Sequence, residues 1–489
     1  MQRFSACAAL AVAAGLCAAT AVRGANQTTD LSPLIMGGNP GLGVQVLAES
    51  YAGPTLPAIN SFAKGQYNGQ WVILGGLTGG MHDLSTGFDP AHQNPEVFVV
   101  DPVTQQMWHR SLNDAGSGMT QEQVDALSVT NAQFSQIGSR LYIAGGYGNV
   151  TGTDVYQTYN FLSAIDLPGM INWVKGGPGS VSANVRQISD PLFQVTGGEM
   201  MTNSNGLSHL IFGQAYPGNY TFRLEGQYTR QVTTFQIVDY GTNLSYANVS
   251  VLGPNDDFRR RDLNVVPIIQ KVNGQLVEKT QALSGVFTVD NGAWTVPVTI
   301  DAAGNATEPD PLAPGTFKQG FNGYKCATLS LYSAKSDTMH TMLFGGISFE
   351  YIDPNTGLPA QDFQLPFIND ATDIVTDSAG NMKQYLLPGS LPAVTDMNGN
   401  PLFLGAETEF FLAPGIATYG NGVIDLDALS GPTVVGYFFG GIASDQPNGG
   451  TTRGSNGLFP VLITPPAAVP EPGTMALLGL SLLLLARRR

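Results

Sequence analysis

The 489-residue sequence is poor in cysteine and histidine, with three and five copies. Cys7 and Cys17 lie in an apolar N-terminal segment, so the body of the chain holds only Cys326 and can form no internal disulfide. Its stability must therefore come from a large apolar core. Apart from His82 and His92 on one loop, no two histidines have the spacing of a metal site on a helix or strand. We expect neither a metal ion nor a cofactor.

Positive charge is also scarce, since 22 Lys and Arg face 37 Asp and Glu, for a net charge of −15. Proteins that bind nucleic acid rely on basic patches, so we expect no nucleic-acid partner. Charged residues make up only 12% of the chain, whereas 60 residues are Gly and 31 are Pro. This balance indicates many turns and few surface helices, and it predicts an all-β fold.

The C-terminal segment 466–489 combines a Pro-Glu-Pro motif, an uncharged run at 474–486 and a terminal arginine cluster. Its distinctive residues are Pro470, Glu471, Pro472, Arg487, Arg488 and Arg489. The run is shorter than the roughly 20 residues of a typical membrane-spanning helix. Arginines directly after it are nevertheless typical of a membrane segment whose end stays in the cytoplasm. We therefore predict a short transmembrane helix, with the preceding chain outside the cytoplasm.

This order of motif, apolar run and arginines resembles the PEP-CTERM sorting signal of Gram-negative bacteria that make extracellular polysaccharide. The resemblance implies that a membrane protease of the exosortase type cuts near Pro-Glu-Pro. It also implies export across the inner membrane, a transient membrane contact through the C-terminal helix, and a final place at the cell surface or outside the cell.

The N-terminal segment 1–24 predicts a secretory signal peptide. Arg3 precedes an apolar run at 6–22, and small residues suited to cleavage lie near Gly24. A lipoprotein signal is excluded because the bulky Leu16 precedes Cys17. The segment 25–60 then leads into the main domain at 61–465.

A short β-prone run that ends in small residues recurs through this domain. Its copies are WVILGG (71–76), LYIAGG (141–146), HLIFGQ (209–214), ALSGVF (282–287), MLFGG (342–346) and YFFGG (437–441). The copies lie about 60 to 95 residues apart, which suits a four-stranded sheet with long loops. Units of this size must stack on one another to bury both faces.

The first two repeats carry further features, namely a hydrophobic third strand that ends in Asp and a tryptophan, Trp108 or Trp173, placed in the fourth strand. With the double glycine, these features are similar to the kelch motif. The resemblance implies a kelch-like β-propeller, and six second strands with six third strands favour six blades. A seventh, degenerate blade is the alternative.

The last repeat predicts how the ring closes. Its first strand is expected within 416–426, and an inserted hairpin is expected around 400–412. No fourth strand follows before the C-terminal segment, so we predict that the N-terminal segment 43–50 supplies it and removes an exposed edge.

Two groups of residues are candidates for ligand binding. Arg259, Arg260 and Arg261 form a dense basic cluster before the fourth blade, where they could grip the carboxylate or phosphate of an acidic sugar or pair with nearby acids. His82 and Asp83 lie on a long loop after the first double glycine, a position where binding groups often occur.

No segment carries the pattern of a nucleophile with an oxyanion hole, so we assign no catalytic residue. The sequence favours a secreted interaction propeller that binds an extracellular glycan or matrix protein. A carbohydrate-active kelch-type enzyme that acts on acidic sugars is the alternative.

Overall fold

The computed structural model describes residues 30–39, 41–48, 51–82, 87–221, 226–283, 285, 288, 292–396 and 398–466. The predicted all-β class is confirmed, because strands dominate and the α-helices of the described chain are the short Gln121–Asp125 and Leu167–Val174. None of the helices in these ranges has the length and apolarity needed to cross a bilayer. The predicted signal peptide and almost all of the predicted sorting segment lie outside the described residues.

The strands form six sheets of four or five strands that follow one another along the chain. Sheet 1 contains Ala63–Tyr67, Gln70–Leu74, Glu96–Asp101 and Gln106–Ser111. Sheet 2 contains Gln133–Ile137, Arg140–Ala144, Phe161–Asp166 and Val185–Ser189. Sheet 3 contains Glu199–Thr202, Leu207–Ile211, Val232–Asp239 and Leu244–Leu252.

Sheet 4 contains Val265–Val272, Gln275–Ala282, Val298–Ile300 and Ala306–Thr307. Sheet 5 contains Ala327–Ser333, Thr338–Ile347, Phe367–Thr376 and Met382–Leu386, with Ile424–Asp425 added in parallel beside its first strand. Sheet 6 contains Glu409–Leu412, Thr433–Phe439, Leu458–Thr464 and Gly43–Val46. All other neighbouring strands in these sheets pair antiparallel.

Smaller strands join loops outside the six sheets. The pairs are Tyr147–Asn149 with Tyr156–Thr158, Gln214–Ala215 with Gln227–Tyr228, and Glu350–Ile352 with Pro359–Gln361. A three-stranded sheet contains Phe403–Ala406, Ile442–Ser444 and Thr452–Gly454. Short 3-10 helices span Pro90–His92, Val181–Asn184, Pro191–Phe193, Asp256–Phe258 and Leu426–Ala428.

The apolar core lies between the faces of neighbouring sheets. The second strand of sheet 1 is fully buried from Trp71 to Leu74, since both of its faces are covered. Six main clusters fill the gaps between sheets 1 and 2, 2 and 3, 3 and 4, 4 and 5, and 5 and 6, and finally between sheets 6 and 1. In the last cluster Trp71 of sheet 1 stacks on Phe411 of sheet 6, with ring centroids 4.2 Å apart.

The recurrent glycines occur where each second strand turns against the next sheet. Gly76 has φ +80°, and a Cβ there would lie 2.4 Å from the Asn60 carbonyl oxygen, so only glycine fits. Sheet 3 differs, since Phe212 takes the first place of the pair with φ 56° and stacks on Phe258. The repeat in sheet 3 is therefore Phe212 with Gly213 rather than a pair that starts at Gly213.

These glycines donate backbone hydrogen bonds to the chain that enters the next sheet. The bonds run from Gly76 to Val129 (2.8 Å), Gly146 to Val195 (2.8 Å), Gly213 to Arg260 (3.0 Å) and Gly441 to Ile59 (2.8 Å). The last of these joins sheet 6 to the entry of sheet 1. Neighbouring sheets are thus linked through their backbones as well as through their cores.

Each sheet has a residue with a left-handed backbone just before its first strand. In sheets 1 to 4 this residue lies two positions after the acceptor named above. These six residues, which we call the collar, are Ser61, Asn131, Gly197, Asp262, Lys325 and Glu407, with φ between 34° and 67°. Collar N–H groups donate to the carbonyl of the preceding collar residue, from Asn131 to Ser61 (3.1 Å), Gly197 to Asn131 (3.0 Å), Asp262 to Gly197 (2.6 Å) and Glu407 to Lys325 (2.6 Å). The first strands therefore start side by side around one axis.

Sheet 6 combines the N-terminal and C-terminal parts of the described chain. Val44 is buried and lies opposite Ile463, and Val46 lies opposite Val461. The pairing covers 43–46 of the segment 43–50 that the sequence singled out, and residues 49 and 50 lie outside the described ranges.

Three local predictions were wrong. Trp173 lies in the helix Leu167–Val174, where Asp166 caps the N-terminus, and not in a fourth strand. The first strand of sheet 6 is Glu409–Leu412 and not part of 416–426, because Phe411 fills the gap beside sheet 1 while Ile424 pairs with sheet 5. The hairpin predicted at 400–412 is therefore not one unit. Its end, Glu409–Leu412, belongs to sheet 6, and only Phe403–Ala406 joins the extra three-stranded sheet.

Candidate functional site

A cavity of about 700 Å³ opens on one side of the collar, where loops from all six sheets converge. Each residue directly before a collar residue lines this cavity, and the six are Asn60, Thr130, Thr196, Arg261, Tyr324 and Ala406. The collar itself surrounds a space of about 10 Å³, no more than one water molecule needs. The cavity therefore has a narrow polar floor.

One wall of the cavity is aromatic. Phe88 comes from the loop of sheet 1, Tyr147 follows the double glycine of sheet 2, and Tyr216 and Tyr220 come from the loop of sheet 3. Their rings contact one another, with centroids 5.2 Å apart for Phe88 and Tyr147 and 5.3 Å apart for Tyr216 and Tyr220.

Hydrogen bonds fix this wall in place. The Tyr147 hydroxyl donates to the Gly218 carbonyl oxygen at 2.8 Å and accepts from the Tyr220 N–H at 2.8 Å. Burial raises the pKa of Tyr147 well above its ordinary value, so the hydroxyl stays protonated. The wall thus offers fixed, neutral aromatic faces.

Charged groups also line the cavity, and Arg261 lies beside the aromatic wall, where it interacts with the side chain of Tyr220. The Arg261 guanidinium contacts the Asp262 carboxylate at 2.6 Å and donates to the Tyr228 hydroxyl at 2.9 Å. Burial raises the pKa of Tyr324 well above its ordinary value. Burial also raises the pKa of Glu407 to about 8, and the nearby Asp262 adds to this shift. Glu407 is therefore largely protonated at neutral pH.

A second cavity of about 400 Å³ lies on the other side of the collar, between the first strands. Two ion pairs lie in this region, Lys325 with Glu199 at 2.6 Å and Lys64 with Glu409 at 2.9 Å. The first joins the chain before sheet 5 to sheet 3, and the second joins sheet 1 to sheet 6, so both hold inner strands of different sheets together.

The predicted arginine cluster does not converge on one site. Arg260 is fully buried, pairs with Glu308 at 2.6 Å and donates to the Val296 carbonyl oxygen, which makes it part of the core. Arg259 packs over the ring of Tyr228 at 4.1 Å. Arg261 alone of the three lines the larger cavity.

The predicted loop pair divides as well. His82 lines the cavity, and its ring lies 4.2 Å from that of Tyr220. Asp83 lies outside the described residues. In the part of the chain that the structure describes, no three His, Cys, Asp or Glu residues form a group suited to a metal ion.

Sequence reasoning missed the aromatic wall and Glu407. Tyr147 follows directly after Gly145 and Gly146, so its place beside the axis could have been inferred from the repeat. Glu407 carried no signal, because its repeat lacks a recognisable first strand pattern and the strand was predicted elsewhere.

Comparisons with known proteins bear mainly on the C-terminus. The family model described as the PEP-CTERM protein-sorting motif matches residues 468–489. No curated protein matches the chain. A solved structure titled "Structure of YjhT" aligns with a TM-score of 0.40 and 12% identity, and the alignment covers 84% of this chain and 98% of that one.

The match at 468–489 confirms the resemblance inferred from Pro470, Glu471, Pro472 and the terminal arginines. This protein therefore carries a PEP-CTERM sorting motif, which implies processing by an exosortase and export with sorting to the cell surface of a Gram-negative bacterium.

Proposed function

We propose that this is an exported six-bladed β-propeller, kelch-like in its double glycines, whose larger cavity binds a carbohydrate of the extracellular matrix. Residues 1–24 act as its signal peptide, 61–465 with the strand from 43–50 form the propeller, and 466–489 form a sorting helix that contacts the membrane transiently. The observation that carries the binding proposal is the cavity itself, which is lined by both aromatic rings and polar side chains.

The six-bladed ring is supported by contacts between the last sheet and the first. Gly441 of sheet 6 donates to Ile59 as Gly76 of sheet 1 donates to Val129. The pairing of Val44 with Ile463 removes an edge that would otherwise be exposed. These links support direct contact between sheet 6 and sheet 1, as a six-bladed ring requires.

A sugar fits the cavity because a pyranose ring has an apolar face and a polar rim. The volume of about 700 Å³ falls within the range of small-molecule sites. The Tyr147 ring is held by two hydrogen bonds of its hydroxyl, one of them from the Tyr220 backbone, so little entropy is lost when a sugar ring packs on it. Asn60, Asn131 and Arg261 also line the cavity and provide polar groups for hydroxyls.

The test is a glycan array probed with the exported protein, with Tyr220→Ala as the cavity variant. We expect binding to at least one extracellular glycan, and a loss of at least about tenfold in affinity for Tyr220→Ala. Tyr240→Ala is the matched control, because Tyr240 is exposed on the hairpin turn of sheet 3 and away from the cavity. A blank array, or equal losses for both variants, would contradict the proposal.

Catalysis on an acidic sugar is a second candidate, favoured by one observation. Arg261, Asp262, Tyr324 and Glu407 line the same cavity, so a cation and a protonated carboxyl face a common space. Chemical change of a uronate-containing oligosaccharide, measured by NMR and abolished in Glu407→Gln, would support it. The charge of Arg261 is already neutralised by its ion pair with Asp262, so binding without catalysis is the better supported function.

Sorting is tested separately by deletion of residues 470–489. We expect the truncated protein to be exported without processing at the Pro-Glu-Pro motif, so that its distribution between cell surface and medium changes. Unchanged localisation by fractionation would show that the segment is not the sorting signal.

A further inference from the structure

Charge around the axis is balanced in pairs, with one exception. Asp262 pairs with Arg261, Glu199 with Lys325, and Glu409 with Lys64, each within 2.9 Å. Among the residues that the structure describes, Glu407 forms no ion pair. Ser61 hydrogen-bonds its side chain, and the charges of Lys325, Asp262 and Glu409 act on it.

Glu407 also occupies a position that is unfavourable for its residue type. Its φ of 55° is in the left-handed region, where glycine and asparagine are favoured and Gly197 and Asn131 stand in the equivalent places. All six collar residues share this left-handed backbone, so it comes from the repeat, and at this position the repeat carries an acidic side chain. The strained backbone holds a buried carboxyl at the floor of the larger cavity.

The aromatic wall of the same cavity suits a cationic ligand. Aromatic faces attract cations through the ring quadrupole, and the attraction is largest where water is excluded. Phe88, Tyr147, Tyr216 and Tyr220 supply such faces, and the raised pKa of Tyr147 keeps its ring neutral. A carboxyl that forms no ion pair among the described residues and an aromatic wall thus line one cavity.

We infer that the cavity takes a positively charged ligand, specifically a sugar with a protonated amino group, and that the Glu407 carboxylate is its counterion. The inference rests on the proposed carbohydrate-binding function and specifies the class of sugar. The net charge of −15 on the chain favours the approach of a cationic glycan over an anionic one.

Proton release accompanies this binding. In the free protein the burial of Glu407 raises its pKa to about 8, with Asp262 and Glu409 raising it and Lys325 lowering it. Arg261 and Glu199 are held in their own ion pairs, and Tyr324 stays protonated, so these groups do not compensate. A bound ammonium group stabilises the carboxylate, and the Glu407 proton leaves to solvent.

The experiment compares glucosamine, glucose and glucuronate by calorimetric titration of the exported protein at pH 6.5, in two buffers of different ionisation enthalpy. We expect glucosamine to bind at least about tenfold more tightly than glucose, with release of close to one proton per ligand. Glucuronate should bind more weakly than glucose.

Glu407→Gln keeps the shape of the side chain and removes its charge. We expect this variant to lose the preference for glucosamine over glucose and to release no proton. Glu409→Gln is the matched control, since this carboxyl is also near the axis but is paired with Lys64, and it should retain the preference. Circular dichroism of each variant verifies the fold.

Equal affinities for glucosamine and glucose, or a preference for glucuronate, would overturn the inference while leaving carbohydrate binding intact. A preference for glucosamine that survives in Glu407→Gln would overturn the role of Glu407. If none of the sugars binds, the proposed function fails and the inference fails with it.

Discussion

The two halves of the collar share one backbone and differ in their side chains. Sheets 1 to 3 contribute the neutral residues Ser61, Asn131 and Gly197, whereas sheets 4 to 6 contribute Asp262, Lys325 and Glu407. All six have positive φ, a geometry that suits Gly, Asn and Asp and disfavours Ser61, Lys325 and Glu407. The repeat thus fixes the backbone, and sheets 4 to 6 place charged side chains on it.

The same division extends to the residues around the collar. Two positions before it, sheets 1 to 3 have the apolar Ile59, Val129 and Val195, whereas sheet 4 has the buried Arg260. The aromatic wall also comes from loops of sheets 1 to 3, whereas Arg261 and Glu407 come from the chain before sheets 4 and 6. A cavity with both aromatic and charged lining therefore results from a nearly regular repeat.

The largest effect is expected for Arg260→Ala. Removal of the guanidinium leaves Glu308 and the Val296 carbonyl oxygen without this partner in the core, so the free energy of unfolding should fall by about 3–5 kcal/mol. Urea denaturation measures this change. The double variant Arg260→Leu with Glu308→Leu should recover much of the loss, because apolar side chains fill this place in sheets 1 to 3.

A smaller loss is expected for Lys325→Met, on the order of 2 kcal/mol, because Glu199 would remain buried without its cation. The pair is partly exposed, which reduces the cost relative to Arg260. The second substitution Glu199→Gln in the same chain should restore stability. If Lys325→Met alone were neutral, the ion pair of Lys325 with Glu199 would contribute nothing to folding.

The raised pKa of Glu407 predicts that the free energy of unfolding depends on pH. Its pKa is raised to about 8 in the folded protein from an ordinary value of 4.5, so the folded state binds the extra proton between these pH values. Its stabilising contribution is complete below about pH 4.5 and is lost as the pH rises through 8. Glu407→Gln should remove a slope of about 1 kcal/mol per pH unit.

Thermal or urea unfolding at pH 5, 6, 7 and 8 tests this slope. Glu350, whose pKa burial raises to about 7, contributes in the same direction, so the difference between wild type and Glu407→Gln is the relevant quantity. A difference that stays constant from pH 5 to 8 would show that Glu407 titrates normally.

The smallest effect is expected in the neutral half. Asn131→Ala places a residue that disfavours positive φ at a collar position, and it should cost about 1 kcal/mol in the free energy of unfolding. Asn131→Gly, the control, should change stability by about 0.5 kcal/mol or less. Equal effects for both variants would mean that the side-chain contacts of Asn131 matter more than its backbone.

Part of the site could be predicted from the sequence because the repeat is local. The double glycines marked the ends of the second strands, and the strands WVIL and LYIA are buried where the pattern places them. Prediction failed where the repeat is interrupted. Trp173 lies in a helix because Asp166 and Pro168 begin one there. The hydrophobic pattern of this short segment does not distinguish a helix from a strand.

The sequence by itself determined the β class, the recurrent glycines and the C-terminal sorting motif, because composition, local turns and a linear motif are all written in short stretches of chain. The tertiary structure alone decided which side chains meet. Arg260 entered the core while Arg261 reached the cavity, since adjacent residues before a strand point to opposite sides. Glu407 came to lie with Asp262 and Tyr147 because sheet 6 packs against sheet 1, through contacts between residues hundreds of positions apart.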